Sequence, residues 1–148
     1  MAINSSSYGS QYPTRSQVDA SKATSIALPI ISGTINTNAI DLEAAGPFPS
    51  TETISFIATI PAANANSGNA AVLSFQLQHS ATNVSANFVN VPGTGPLNIN
   101  SVNAFYPTTN LNFGAPDNLL QFVRLQGQQT AGGANSANAV NVTFELAF

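Results

Sequence analysis

Residues 140–148 read VNVTFELAF, and this stretch decides the fold class. Its apolar side chains occupy every second position: Val140, Val142, Phe144, Leu146 and Phe148. The positions between them hold Asn141, Thr143, Glu145 and Ala147. A β-strand with one buried face has this period of two, because successive side chains point to opposite faces. The stretch therefore predicts a strand whose first set of residues faces a core and whose second set faces outward.

The same period recurs along the chain. Residues 53–60 (TISFIATI) place Ile54, Phe56, Ala58 and Ile60 on one face, and residues 71–79 (AVLSFQLQH) alternate leucine and phenylalanine with serine and glutamine. Turns rich in Gly, Pro and Asn separate these runs from further expected strands at 26–32, 38–42, 86–91, 97–103 and 119–127. No stretch sustains a helical period of 3.6. We expect an all-β fold, a single antiparallel β-sandwich or jelly roll of about 8 strands.

The chain divides into an N-terminal arm, residues 1–25, and a β-sandwich domain, residues 26–148. The arm is polar, lacks periodicity and contains two of the three tyrosines and two of the three basic residues. It is either a frayed terminus or an arm that becomes ordered on a partner. Two long loops are expected at 106–118 and 128–138, and the second, rich in Gly, Ala and Asn, is expected to be mobile. Residues 119–127 are apolar on both faces, which indicates a central strand or one packed at an interface.

Charge is scarce: three basic and six acidic residues make up 6% of the 148 residues, against roughly a quarter in an average soluble domain. A net charge of −3 and the absence of a basic stripe argue against nucleic-acid binding. There is no cysteine, no apolar run of membrane-spanning length and no secretory signal pattern at the start. We expect a protein that is kept soluble, contacts no membrane and serves a structural role in an assembly.

Residues that could carry chemistry are few. His79 is the only histidine, so a metal site or a Ser-His-Asp triad would have to be built around it alone. We expect it to be a hydrogen-bonded residue at a strand end. Asp41 and Glu43 could bind calcium or act as acid and base, but a solvated pair near a turn is the favoured interpretation. Arg124 is expected to pair with an acid of this subunit or a neighbour. The sequence therefore predicts no catalytic, cofactor or metal site, and no enzyme.

Several segments together resemble a known group of proteins. They are NTNAIDLEAAG (36–46), TISFIATIPAA (53–63), AVLSFQLQHSATNVSANFVNVPG (71–93) and LLQFVRLQGQQTAGGANSANAVNVTFELAF (119–148). Their order resembles that of the small capsid decoration, or cement, proteins of tailed bacteriophages. The resemblance implies a β-sandwich subunit, trimeric, that sits on local three-fold axes of the head and clamps major capsid proteins. It implies location on the capsid surface of the virion after synthesis in the host cytoplasm.

The residues expected to contact a partner are Tyr8, Tyr12, Arg15, Lys22 and Arg124, with loops 106–118 and 128–138 as exposed elements. Two alternatives to a cement protein stay open. One is a receptor- or glycan-binding module of a phage head or tail fibre, since amide side chains suit sugars although the chain has no Trp to serve as a stacking platform. The other is a jelly-roll coat subunit that itself forms a shell.

Overall fold

The structure is a computed structural model that describes residues 18–28, 33–46, 54–60, 63–65, 71–101, 104–106, 109–131 and 140–147. These residues form twelve β-strands and one 3₁₀ turn, Ser85–Asn87. The strands are β1 (Val18–Leu28), β2 (Thr34–Asn36), β3 (Ile40–Asp41), β4 (Ser55–Ile60), β5 (Ala63–Ala65), β6 (Ala71–Ser80), β7 (Val89–Asn90), β8 (Leu97–Ser101), β9 (Ala104–Tyr106), β10 (Thr109–Gly114), β11 (Phe122–Ala131) and β12 (Val140–Ala147).

The strands form two main antiparallel sheets. The four-stranded sheet has the order β1-β12-β4-β10, and the six-stranded sheet has the order β2-β11-β6-β7. In the second sheet β3 also pairs with β11 and β8 also pairs with β6, while β5 and β9 form a separate two-stranded ribbon. The prediction of an all-β sandwich is confirmed.

The strand order is that of a jelly roll. Since β6 occupies one edge of β11, both β2 and β3 lie on its other edge and form one interrupted strand. By the same reasoning β7 and β8 form one interrupted strand along β6. The two sheets then contain eight strand positions, in chain order β1, β2–β3, β4, β6, β7–β8, β10, β11 and β12. The first position pairs with the last, the second with the seventh, the third with the sixth and the fourth with the fifth. This is an antiparallel ribbon rolled up on itself.

The hydrophobic core lies between the two sheets and contains the apolar residues of the period-two patterns. In β4, Phe56, Ala58 and Ile60 are buried while the residues between them are half-buried, as predicted. Leu73, Phe75 and Leu77 of β6 are also buried. Phe56 stacks on Phe144 of β12 with ring centroids 5.5 Å apart. At the chain end, however, Ala147 is buried although the alternation placed it outward.

The first strand begins earlier than predicted. β1 starts at Val18, so residues 18–25, assigned to the arm from the sequence, pair with β12. A shift of register between Asp19 and Ala23 explains why no period was visible, because a bulge changes which face the following side chains occupy. Residues 29–32 of the expected strand lie outside the described residues.

The expected loop 106–118 contains a strand. β10 (Thr109–Gly114) pairs residue by residue with β4, and Phe113 packs in the core between exposed Asn112 and Gly114. Its period of two is present but short, and the surrounding Pro, Asn and Gly residues indicated a turn. The strand exists because β4 offers it a free edge.

The expected strand at 119–127 is β11, which begins at Phe122, continues to Ala131 and lies between β6 and the β2–β3 edge. Of the two expected possibilities, a central strand or one packed at an interface, the structure shows the central strand, since two strands flank it and Val123 and Leu125 are fully buried. The expected loop 128–138 was placed too early, because residues 128–131 belong to β11. Residues 132–138 of that loop lie outside the described residues. The short strands β2, β5 and β9 were not predicted, because three residues are too few to show a period.

Candidate functional site: an amide-lined groove

The outer face of the six-stranded sheet has a ladder of polar side chains. Three cross-strand pairs between β6 and β11 point away from the core: Ser74 with Gln128, Gln76 with Gln126, and Gln78 with Arg124. Directly opposed residues of antiparallel strands share one face, so each pair brings its two side chains together. The local cause is the alternation of leucine or phenylalanine with serine or glutamine in β6.

Arg124 lies at one end of this ladder and is only 8% exposed. Its Nε donates to Gln78 Oε1 at 2.8 Å, Nη1 to Ser85 Oγ at 3.0 Å and Nη2 to the Ser85 carbonyl oxygen at 3.4 Å. The guanidinium also lies 4.2 Å from the ring centre of Phe88. Burial lowers the pKa of Arg124.

The expected pairing of Arg124 with an acid of the same subunit is wrong for the part of the chain that the structure describes. Its partners there are an amide, a hydroxyl, a carbonyl and an aromatic ring. A guanidinium has five N–H donors, and neutral oxygen atoms as well as carboxylates can accept hydrogen bonds from them. Arg124 therefore joins the 3₁₀ turn at Ser85–Asn87 to the centre of the sheet.

The amide side chains beside Arg124 are held by hydrogen bonds. Gln78 Nε2 donates to Asn90 Oδ1 at 2.9 Å, and Gln126 Nε2 donates to Asn36 Oδ1 at 3.2 Å. Gln76 Nε2 donates to the Leu77 carbonyl oxygen at 3.0 Å. These bonds fix the orientation of each amide group before any ligand arrives.

Between these side chains lies a groove of about 150 Å³, lined by Ser74, Gln76, Asn90, Pro96, Gln126 and Gln128. Gly95 precedes the lining residue Pro96 and has φ of +155°. A Cβ there would lie 3.4 Å from Gln76 Oε1 and 3.2 Å from the Leu97 nitrogen. A side chain at position 95 would therefore crowd both the amide and the backbone. The glycine keeps the wall of the groove close to Gln76.

Gln76 is 8% exposed, yet its Oε1 accepts no hydrogen bond from the residues that the structure describes. A buried acceptor left without a donor costs roughly 1–3 kcal/mol. Such a group in the wall of a groove is a preformed place for a hydroxyl or an N–H donor.

His79 lies on the core side of β6 and is 6% exposed. Its Nδ1 accepts a hydrogen bond from the Leu120 backbone nitrogen at 3.2 Å, and burial lowers the pKa of the imidazole. The prediction of a hydrogen-bonded residue near a strand end is confirmed. This contact joins the end of β6 to the segment that leads into β11.

Asp41 and Glu43 lie where β3 ends, and Glu43 adopts a left-handed backbone with φ of 68°. Asp41 Oδ1 accepts from Gln121 Nε2 at 2.9 Å and from the Glu43 nitrogen at 2.7 Å. These bonds, together with the charge of Lys22, hold the pKa of the Asp41 carboxyl below its ordinary value. The two acids are exposed and lie at a turn, as the favoured interpretation had them.

Lys22 on β1 contacts this turn. Its Nζ donates to the Asp41 carbonyl oxygen at 2.7 Å and to Glu43 Oε1 at 2.9 Å. Of the other residues expected to contact a partner, Arg124 is buried within its own sheet, and Tyr8, Tyr12 and Arg15 lie outside the described residues. Of the two described residues, Lys22 bonds the turn at Asp41 and Glu43, and Arg124 bonds Gln78 and Ser85.

The groove residues were not identified as a site from the sequence. The alternation of Ser74, Gln76 and Gln78 was visible, but an outward polar face normally indicates solvent. A second amide run, at Gln126 and Gln128, was the available signal, because two such runs on neighbouring strands form one polar surface.

Within the described residues, no group of three or more His, Asp or Glu side chains is arranged to hold a metal ion. No helix among them has the length and apolar character needed to cross a membrane. No protein-family model, curated protein or solved structure matches this chain.

Proposed function

We propose that this chain is a non-enzymatic capsid decoration protein that binds the outside of a tailed-phage head as a homotrimer. In this role it stabilises contacts between major capsid proteins. The observation that carries the proposal is a jelly roll, a fold used by viral capsid domains, whose outer surface is hydrogen-bonding but nearly uncharged. On the four-stranded sheet the outward residues include Thr59, Asn110, Asn112, Asn141 and Thr143.

An edge strand supports an assembly role. Among the described strands β10 has only β4 as a neighbour, and their register is regular over six residue pairs. Its sequence, TNLNFG, contains no charge and no proline. Monomeric proteins usually protect an edge strand with such residues or with a bulge. An edge without them is suited to pair with a strand of a neighbouring subunit.

The loop after β6 supplies a second candidate contact. Val84 and Val89 are 53% and 55% exposed, and they flank the Ser85 and Phe88 contacts of Arg124. A buried arginine that holds this loop limits the conformational entropy lost when the valines bind a partner. Arg124 would then act on the contact indirectly, by positioning the loop.

The test begins with heads from which the chain has been removed. We expect added protein to occupy local three-fold axes in many copies, as seen by cryo-electron microscopy. Occupancy should be equal at about 0.1 M and about 1 M NaCl, although the Debye length falls from about 10 Å to about 3 Å. Binding in a few copies at a tail or vertex, or release by salt, would contradict the proposal.

Two variants refine the test. Deleting residues 1–17 removes the N-terminal segment but leaves β1 intact, whereas deletion to residue 25 would remove most of β1. If the protein that lacks residues 1–17 coats heads at full occupancy, this segment is not needed for attachment. Replacing Val84 and Val89 together by Asp should lower occupancy, while Asn38→Asp, at an exposed position between β2 and β3, serves as the charge control.

The alternative is a receptor- or glycan-binding module of a head or tail fibre. The amide-lined groove is the observation that favours it, because the groove offers hydrogen-bonding groups without charge. Copy number separates the two functions, since a fibre module is present in few copies per particle.

A further inference from the structure

We propose that the groove on the outer face of the six-stranded sheet binds an uncharged, polyhydroxylated ligand, namely a single saccharide ring. The site is independent of the capsid contact proposed above, and it would supply the ligand for the alternative function. Four features carry the inference: the chemistry of the lining, its unused hydrogen-bonding groups, the fixed orientation of most of its amides and the size of the groove.

The lining excludes a charged ligand. Four of its six residues are amides, and the others are Ser74 and Pro96. Arg124 is the nearest cation in the ladder, and its guanidinium already bonds Gln78 and Ser85. Neither a phosphate nor a carboxylate would find a positive partner in the lining, and an ammonium group would find no carboxylate. The groove therefore selects for neutral polar groups.

The hydrogen bonds among the described residues leave both donors and acceptors unused in the lining. Gln76 Oε1 and Gln126 Oε1 accept none of these bonds, and Asn90 Nδ2 donates none. The Gln128 amide and the Ser74 hydroxyl form none with described residues either. A sugar hydroxyl both donates and accepts, so adjacent hydroxyls on a ring match this mixture.

Three of the four lining amides, those of Gln76, Asn90 and Gln126, are already oriented. The bonds from Gln78 to Asn90 and from Gln126 to Asn36 hold two of them, and the backbone of β6 holds Gln76. A ligand that binds to fixed amides avoids the cost of ordering them, about 0.5–1.5 kcal/mol for each flexible side chain.

The size of the groove limits the ligand. Its volume of about 150 Å³ is smaller than the roughly 300–1,000 Å³ of sites for drug-sized molecules. One ring fits, with the apolar edge of Pro96 available to its C–H groups. With so small a contact we expect a Kd in the millimolar range.

The experiment is a titration of the ¹⁵N-labelled full-length chain with glucose, galactose, mannose and N-acetylglucosamine, followed by NMR. We expect at least one of these sugars to cause saturable shifts of the side-chain amide signals of Asn90, Gln126 and Gln128. Gln128→Ala should raise the Kd by about three- to tenfold, the effect of one lost neutral hydrogen bond. The matched control is Asn112→Ala, an exposed amide on the opposite sheet, which should leave the Kd unchanged.

Gln128 is exposed, so its replacement leaves the fold intact, and the backbone spectrum of the variant verifies this. The inference is overturned if no sugar gives saturable shifts, or if Gln128→Ala binds as tightly as the parent chain. It is also overturned if glucose 6-phosphate binds more tightly than glucose, or if acetamide alone saturates the site. None of these results would affect binding to heads, which is measured separately.

Discussion

Replacing Arg124 by Met tests whether a buried arginine held by neutral partners stabilises this fold. Met keeps an apolar stem against Phe88 but removes the donors to Gln78 Oε1 and to Ser85. Each of the two shorter hydrogen bonds, at 2.8 and 3.0 Å, has a charged donor and is worth about 1.5–3 kcal/mol. Their loss is offset because Met no longer buries a charge.

We therefore expect Arg124→Met to lower the free energy of unfolding by about 2–4 kcal/mol, out of roughly 5–15 kcal/mol for a typical domain. With a urea m-value of about 2 kcal/mol/M, the midpoint falls by about 1–2 M. Urea unfolding followed by circular dichroism measures both quantities. Arg124→Lys should recover little of the loss, because an ammonium group cannot reach two acceptors with the planar geometry of a guanidinium.

The salt dependence of the Arg124→Met effect distinguishes this network from an ion pair. Since its acceptors are neutral, the loss should be the same in about 0.1 M and about 1 M NaCl. A loss below about 0.5 kcal/mol, the usual range of surface substitutions, would refute the reasoning. So would an effect that disappears in high salt, because that would indicate a carboxylate partner.

Three further outcomes are expected. The pKa of His79 is lowered from 6.5 by burial, so below pH 6.5 the unfolded chain takes up a proton that the folded chain does not. The free energy of unfolding should therefore decrease as the pH is lowered below 6.5 and be constant above it. His79→Gln should remove this dependence in urea titrations at several pH values. Phe144→Ala removes the stack on Phe56 and should lower the free energy of unfolding by about 3–5 kcal/mol in the same assay; a loss below 1 kcal/mol would contradict the observed burial. Lys22→Gln removes an exposed ion pair and should change stability by less than about 1 kcal/mol, an effect that salt diminishes; a larger loss would mean that this contact anchors β1.

The local pattern of the sequence predicted most of the core. Phe56, Phe75 and Phe144 were placed inward by alternation alone, and all three are buried. The pattern failed at Ala147, because alanine is small enough to fit either face and does not decide its own orientation. It also failed in β1, where a bulge separates Asp19 from Ala23 and breaks the period.

The candidate site was less predictable than the core. Gln76 and Gln78 were assigned to the outward face of β6, which is correct, but both are at least 92% buried there. Their burial comes from neighbours on β7, β8 and β11, which pair with β6 from positions up to 59 residues away in the sequence, as Ala131 does with Val72. No local pattern distinguishes a polar face open to solvent from one that lines a groove.

The sequence by itself determined that this chain is all-β, where most long strands lie and that few residues are charged. These are local properties, since a strand with one buried face needs only a period of two among its own residues. The tertiary structure alone decided which strands pair. Val18 meets Ala147 because closing the jelly roll brings the first and last strands together, and this closure also placed β10 beside β4. It likewise built the amide groove, because two polar strand faces become one surface only when the strands that contain them are neighbours.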